Sequence, residues 1–350
     1  MRIRLCSLCL AMAAAAGQPF VSSPRREFTA PELHDAPDEW ISRSLRWCDF
    51  ILKKFPPSIP EAPERRAALI RLDDVLHIES APSKPLVQQF YQQRIEEAIA
   101  DIEKTKVTHG AHIWKLYNHG FLVRTPSVSF AFDLVEGIPV AGFELPAAWQ
   151  ARLVEQSDAL FISHEHGDHA SKKIAALFLK SGKPVVAPEG LWSDDSEFAG
   201  RLIYPPRSLT KTSSLALHNG TEHLTVQAWP GHQGPVLNNI HMVTSPEGFT
   251  VLHTGDQEVD EKPGTDYDWI DRIGGEHHVN LLLVNCWITD LRRVIDGVNP
   301  DLVMTGHENE MQHTVDHRED YTQTYNRLYG TRTPFMVLAW GESFTMPVAR

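Results

Sequence analysis

No apolar stretch in the sequence approaches the roughly 20 residues a helix needs to span a bilayer, which excludes a helical membrane protein. Basic residues are in deficit: 33 Lys and Arg stand against 45 Asp and Glu, a formal net charge of −12. Such a chain repels a phosphate backbone, so nucleic acid is not an expected partner. Cysteine is scarce, with four in 350 residues. Cys6 and Cys9 fall in the first 23 residues, which read as a secretory signal. Arg2 and Arg4 supply its charge, Leu5 to Ala16 its apolar core, and Ala13 to Gly17 its small residues. That leaves Cys48 and Cys286, enough for one disulfide in an oxidising compartment and too far apart for metal-site spacing. Cys286 lies in the apolar run Leu281 to Trp287, where a small buried hydrophobe is the simpler role. The expected localisation is export, periplasmic or secreted.

What is present is ordinary globular material, 42% hydrophobic and 22% charged. The length suits one large domain with an appendage. Residues 24–38 carry three prolines and no period, as a linker does. Helical patterns follow at 39–51, 64–79 and 86–104, with Val87, Phe90, Tyr91, Ile95, Ile99 and Ile102 on one face. The division expected is therefore signal peptide 1–23, linker and helical N-terminal extension 24–110, and catalytic domain 111–350. From residue 111 short strands alternate with helices, which makes the class α/β. Ile113 to Thr125 and Ser127 to Leu134 read as the arms of a hairpin, and Phe335 to Trp340 reads as the last strand.

Chemistry concentrates at His164-Glu165-His166-Gly167-Asp168-His169, directly after the apolar run Ala159 to Ser163. Neutral imidazole and carboxylate are the usual ligands of zinc. In an extended turn His164 and His166 point the same way and can grip one ion, while Asp168 and His169 can grip another. Gly167 permits the tight backbone. Chance clustering among 18 histidines does not readily place this run at a strand end.

The segment resembles the signature of the metallo-β-lactamase superfamily, and the likeness extends over residues 111–341. Asp133 after Phe130-Ala131-Phe132, His232 after Trp229-Pro230-Gly231, Asp256 after His253-Thr254-Gly255 and His307 after Met304-Thr305-Gly306 follow in the family order. The resemblance implies an αββα sandwich with two metal ions, zinc first, with manganese or iron(II) as substitutes. It implies His164, His166 and His232 on one ion, Asp168, His169 and His307 on the other, and Asp256 bridging them. Asp168 and Asp256 are then the catalytic carboxylates. Asp133 is implied to accept a hydrogen bond from a ligand or nearby backbone, and His119 to contact substrate.

Within the superfamily, Asp rather than Cys at position 256 argues against antibiotic hydrolysis, and His166 stands where flavodiiron proteins carry Glu. The sequence is most similar to ascorbate-6-phosphate lactonase-like members. The expected reaction is hydrolysis of an ester-like bond in a small molecule, a lactone, phosphodiester or thioester. An iron-dependent oxygenase of the same fold and a non-catalytic metal-binding protein are the alternatives. His313 and His317, four apart, are candidates for one helix face, and Glu308 and Glu310 for a polar rim.

Overall fold

The structure is a computed structural model that describes residues 35–260 and 265–347. The expected signal peptide, residues 1–23, lies outside the described residues. Three helices come first, α1 (Asp38–Lys54), α2 (Pro63–Leu76) and α3 (Pro85–Lys104). Asp38 and Glu39 open α1 and Lys53 and Lys54 close it, each complementing the helix dipole. Proline stands in the first turn of α2 and α3, where its missing N–H costs nothing.

Strands β1 (Ala111–Lys115), β2 (Phe121–Arg124) and β3 (Ser129–Phe132) follow as an antiparallel meander. The single arm expected over 113–125 is thus two strands. The break comes from Asn118, whose φ of 52° is left-handed, and from Gly120, whose N–H returns to the Tyr117 carbonyl at 2.8 Å. A Cβ on Gly120 would sit 2.9 Å from the Asp133 carbonyl oxygen. The ribbon β4 (Gly137–Ile138) and β5 (Phe143–Glu144) leads to α4 (Ala147–Glu155), β6 (Ala159–Phe161), α5 (Lys172–Lys180) and β7 (Val185–Val186). Ser171 caps α5 by accepting from the Ile174 N–H.

The second half holds β8 (Ser213–Leu217), β9 (Glu222–Gln233), β10 (Val236–Thr244) and β11 (Thr250–His253). Two single-turn helices, α6 (Tyr267–Ile270) and α7 (Ile273–Glu276), precede β12 (Leu281–Asn285), α8 (Leu291–Val298) and β13 (Leu302–Gly306). Last come α9 (Tyr321–Leu328), β14 (Phe335–Val337) and β15 (Ser343–Met346). The final strand is therefore β15, not 335–340. It runs back to pair with β1 on the first sheet.

One sheet has the order β15-β1-β2-β3-β6-β7 and the other β14-β13-β12-β11-β10-β9-β8. Strand periodicity assigns their faces. Ile113, Phe121, Phe130 and Phe161 from the first sheet share one apolar cluster with Val251, Leu283 and Met304 from the second. Their chain neighbours Trp114, Leu122, Ala131 and Leu160, like Leu252, Leu282 and Val303, belong instead to a cluster that includes the helices. Two sheets face each other and helices cover their outer faces, an αββα sandwich. Strands β3 and β6 are parallel, as are β11 to β14. Parallel strands deliver their C-terminal ends to one edge, where α/β folds place ligands. Among the described residues, no helix is long and apolar enough to cross a membrane.

Candidate metal centre

Asp133 leaves β3 with a left-handed φ of 44° and is fully buried. Its Oδ1 accepts from the Ser163 N–H at 2.7 Å, and its Oδ2 from the Ser163 hydroxyl at 2.6 Å and His169 Nδ1 at 2.8 Å. One carboxylate thereby fixes the start of the His-rich turn and the ring at its end. Burial would raise its pKa, but the bonds and charge from His169 outweigh that and hold it below the ordinary carboxylate range. The turn closes when the His169 and Ala170 N–H groups both reach the His166 carbonyl, at 3.0 and 2.8 Å.

Around it gather Asp168, His169, Asp256 and His307, four buried side chains whose ligand atoms all lie within 4.8 Å of one another. Asp256 Oδ2 is 3.1 Å from His307 Nε2, 3.2 Å from His169 Nε2 and 3.9 Å from His164 Nε2. Asp168 Oδ2 is 3.2 Å from His169 Nε2 and 3.3 Å from His307 Nε2. Yet His307 Nε2, His164 Nε2 and Asp256 Oδ1 are buried with no well-formed hydrogen bond. Buried polar atoms rarely go unpaired. Lone pairs converging on a shared point, and not along one another's N–H directions, are what a divalent cation requires. The donor set of imidazoles and carboxylates fits zinc, manganese or iron.

The remaining candidates are not among these four. His164 and His166 rings are 4.7 Å apart, His164 buried and His166 half-exposed. His232, in β9, is 33% exposed and its Nε2 lies 2.8 Å from Asp266 Oδ2. His119 has no exposed surface. It lies 4.2 Å from the His253 ring and against Gly306, where a Cβ would come within 2.3 Å of its Nδ1.

Electrostatics divides the imidazoles. His169 is fully buried, which favours the neutral form, but Asp256, Asp168 and Asp133 around it raise its pKa well above normal. His307 is likewise opposed by burial and lifted by Asp256 and Asp168, to about 10. Despite burial, the two imidazoles hold Asp168 and Asp256 well below the usual carboxylate range. Burial and the neighbouring His169 push His164 down to about 3. Burial also lowers His119, His241 and His253, which keeps these three uncharged at neutral pH.

Several contributors escape a reading by motif. Asn118 donates from Nδ2 to Asp168 Oδ2 at 3.0 Å, and its carbonyl accepts from the His307 N–H at 3.1 Å. The unexpected turn in the meander thus ties together residues of two sheets. His253 stacks on Phe132, hydrogen-bonds the His119 carbonyl at 3.0 Å and accepts from the Gly255 N–H. His241 reaches the Ile162 carbonyl at 3.0 Å. The Trp287 ring stands nearly perpendicular to that of His307, 6.0 Å away.

Other expectations need correcting. His313 and His317 share no α-helix, because only a short 3-10 turn forms at Val315–His317. The His313 ring instead lies 5.1 Å from that of His307. Glu308 and Glu310 are no rim, since both are fully buried. Burial first, then the charge of Asp168, pushes the Glu310 carboxyl up to about 8. Cys48 and Cys286 are both free and buried.

No family model matches the chain, and no curated protein does. Solved structures do match. Igni18, a metallo hydrolase from the hyperthermophilic archaeon Ignicoccus hospitalis, is 15% identical with a TM-score of 0.53, covering 68% of this chain and 99% of its own. A possible metal-dependent hydrolase from Veillonella parvula is 14% identical with a TM-score of 0.51, covering 69% of this chain and 100% of its own. The chain shares their fold, an αββα sandwich of metallo-β-lactamase-like architecture. Identities this low carry the architecture and leave the chemistry to the residues.

Proposed function

We propose that this protein is a hydrolase that holds two divalent metal ions, zinc first, and cleaves an ester-like bond in a small molecule: a lactone, phosphodiester or thioester. The observation that carries this is the buried group of Asp168, His169, Asp256 and His307, with unpaired ligand atoms turned toward a common centre. His164, His166 and His232 would hold one ion, Asp168, His169 and His307 the other, and Asp256 would contact both. Asp266 fixes the His232 ring through Nε2, which leaves Nδ1 as the nitrogen open to a metal.

When bound, the metal supplies an acidified water, its pKa lowered from 15.7 to roughly 7. The residues do the rest. Asp168 and Asp256 would offset the charge of the cations, and Asp168 would orient the nucleophile by accepting a hydrogen bond from it. Asn118 holds Asp168 in place through Oδ2, while Asp133 fixes the His169 ring through Nδ1. The nearest branch by motif is the ascorbate-6-phosphate lactonase-like one. Export is supported by the order of charged, apolar and small residues in the first 23 positions.

The purified protein is expected to hold about two metal ions per chain after mild dialysis, zinc foremost. Elemental analysis measures this. A content near zero that added zinc or manganese fails to restore would sink the proposal.

A further inference from the structure

Four consecutive residues after β13, His307 to Glu310, are polar and at most 1% exposed. Each is claimed by a different part of the fold. His307 enters the metal cluster. Glu308 forms a fully buried ion pair with Lys115 of β1. Glu310 accepts from the Tyr117 hydroxyl at 2.9 Å. Asn309 donates from Nδ2 to Asp73 Oδ1 at 3.1 Å, and Asp73 belongs to helix α2 of the N-terminal extension.

Asp73 binds further along the same loop. Its Oδ1 also accepts from the Tyr321 N–H at 2.9 Å, and its Oδ2 from the Thr322 N–H and hydroxyl at 3.1 and 3.0 Å. Helix α9 already has its own cap, Asp320, whose side chain accepts from the Gln323 N–H. A cap alone therefore leaves Asp73 unexplained. The end of α2 grips the loop again at Arg318, which donates to the Leu76 and Ile78 carbonyls at 3.0 and 3.1 Å. His77 Nε2 lies 2.6 Å from the Arg318 carbonyl oxygen.

The backbone says why such a grip is needed. His307 has a φ of 75° and Asn309 a φ of 55°. Left-handed conformations at residues other than glycine cost of order 1–3 kcal/mol each and persist only where the surroundings over-determine them. The direction of the His307 ring depends on that backbone.

We propose that Asp73 is a positioning residue for the metal centre: through Asn309 it holds the strained segment that aims His307 at Asp168 and Asp256. The helical extension is then part of the site's construction and not merely a cover. This rests on the reading of the cluster as a metal site.

The test uses the full chain, stripped with a chelator and titrated with cobalt(II) alone, whose visible absorption reports ligand geometry. Asp73→Ala and Asn309→Ala are each expected to weaken cobalt binding about 10- to 100-fold, the usual cost of losing a partner behind a ligand, and to alter the absorption bands. Asp73→Asn, which keeps an acceptor oxygen, should recover part of the loss. Cys48→Ala, in the same extension with its thiol on the Ala68 carbonyl, should change neither affinity nor spectrum. If Asp73→Ala does not fold, Asn309→Ala decides, because it leaves the bonds from Asp73 to Tyr321 and Thr322 in place. Wild-type affinity and spectrum in Asn309→Ala would overturn the role of Asp73. A wild-type protein that fails to bind cobalt would overturn the metal reading itself, and this inference with it.

Discussion

Asp256→Ala is expected to lower turnover by more than about 100-fold, the upper end of what losing a partner outside the ligand set costs, and to release at least one metal ion. Its Oδ2 lies within 3.9 Å of imidazole nitrogens on His307, His169 and His164. Among the described residues, no other carboxylate reaches all three. Without it, two bound cations would lose a carboxylate that offsets their mutual repulsion. The turn that carries it is held by other means. Gly255, at φ 52°, packs so closely that a Cβ would fall 2.4 Å from Ser163 Cβ. The fold should therefore survive, with an unchanged near-ultraviolet circular dichroism spectrum. Elemental analysis and kcat check the prediction, and wild-type turnover would remove Asp256 from the bridging role.

The second large effect concerns stability. Arg65 of α2 is fully buried and its guanidinium meets the Glu342 carboxylate with two bonds, Nη1 to Oε1 at 2.6 Å and Nη2 to Oε2 at 2.5 Å. Nη2 also donates to the Val337 carbonyl at 2.8 Å. Burial disfavours both charges, yet the pairing raises the Arg65 pKa and holds that of Glu342 below normal. Glu342→Ala leaves the buried guanidinium with the Val337 carbonyl and the more distant Glu61 carboxylate at 3.6 Å, and breaking a buried pair in this way costs about 3–5 kcal/mol. Replacing both partners, Arg65→Met with Glu342→Leu, should recover most of it, because the desolvation penalty goes with the charges. Denaturant unfolding measures both. A loss below about 1 kcal/mol in Glu342→Ala would mean that the extension is not locked to the strand β15 region through this pair.

How much of this was legible in the sequence follows from distance along the chain. The run His164 to His169 and the positions of Asp133, Asp256 and His307 could be found because each sits at the end of an apolar strand. Strand ends are marked locally by where alternating or continuous apolar residues stop. The helical extension was legible for the same reason, since its periodicity is local. Asn118 was not, because nothing in Ile113 to Thr125 announces a left-handed residue that splits one strand into two. Nor was Asp266, whose partner His232 lies 34 positions earlier, or Asp73, which acts 236 positions from Asn309. Strand β15 escaped because its four residues, Ser343 to Met346, are too few to show a period. The polar run Glu308 to Glu310 looked like surface, because hydrophobicity alone cannot say that Lys115, Tyr117 and Asp73 wait to receive it.

The most direct measurement is turnover of a panel holding a lactone, a phosphodiester and a thioester, by zinc-loaded protein in the absence of oxygen. At least one member is expected to be hydrolysed, with activity lost on chelation and restored by zinc or manganese. Turnover that appears only with iron and oxygen, and that zinc inhibits, would contradict the hydrolase assignment. So would a protein fully loaded with metal that cleaves no ester-like bond at all.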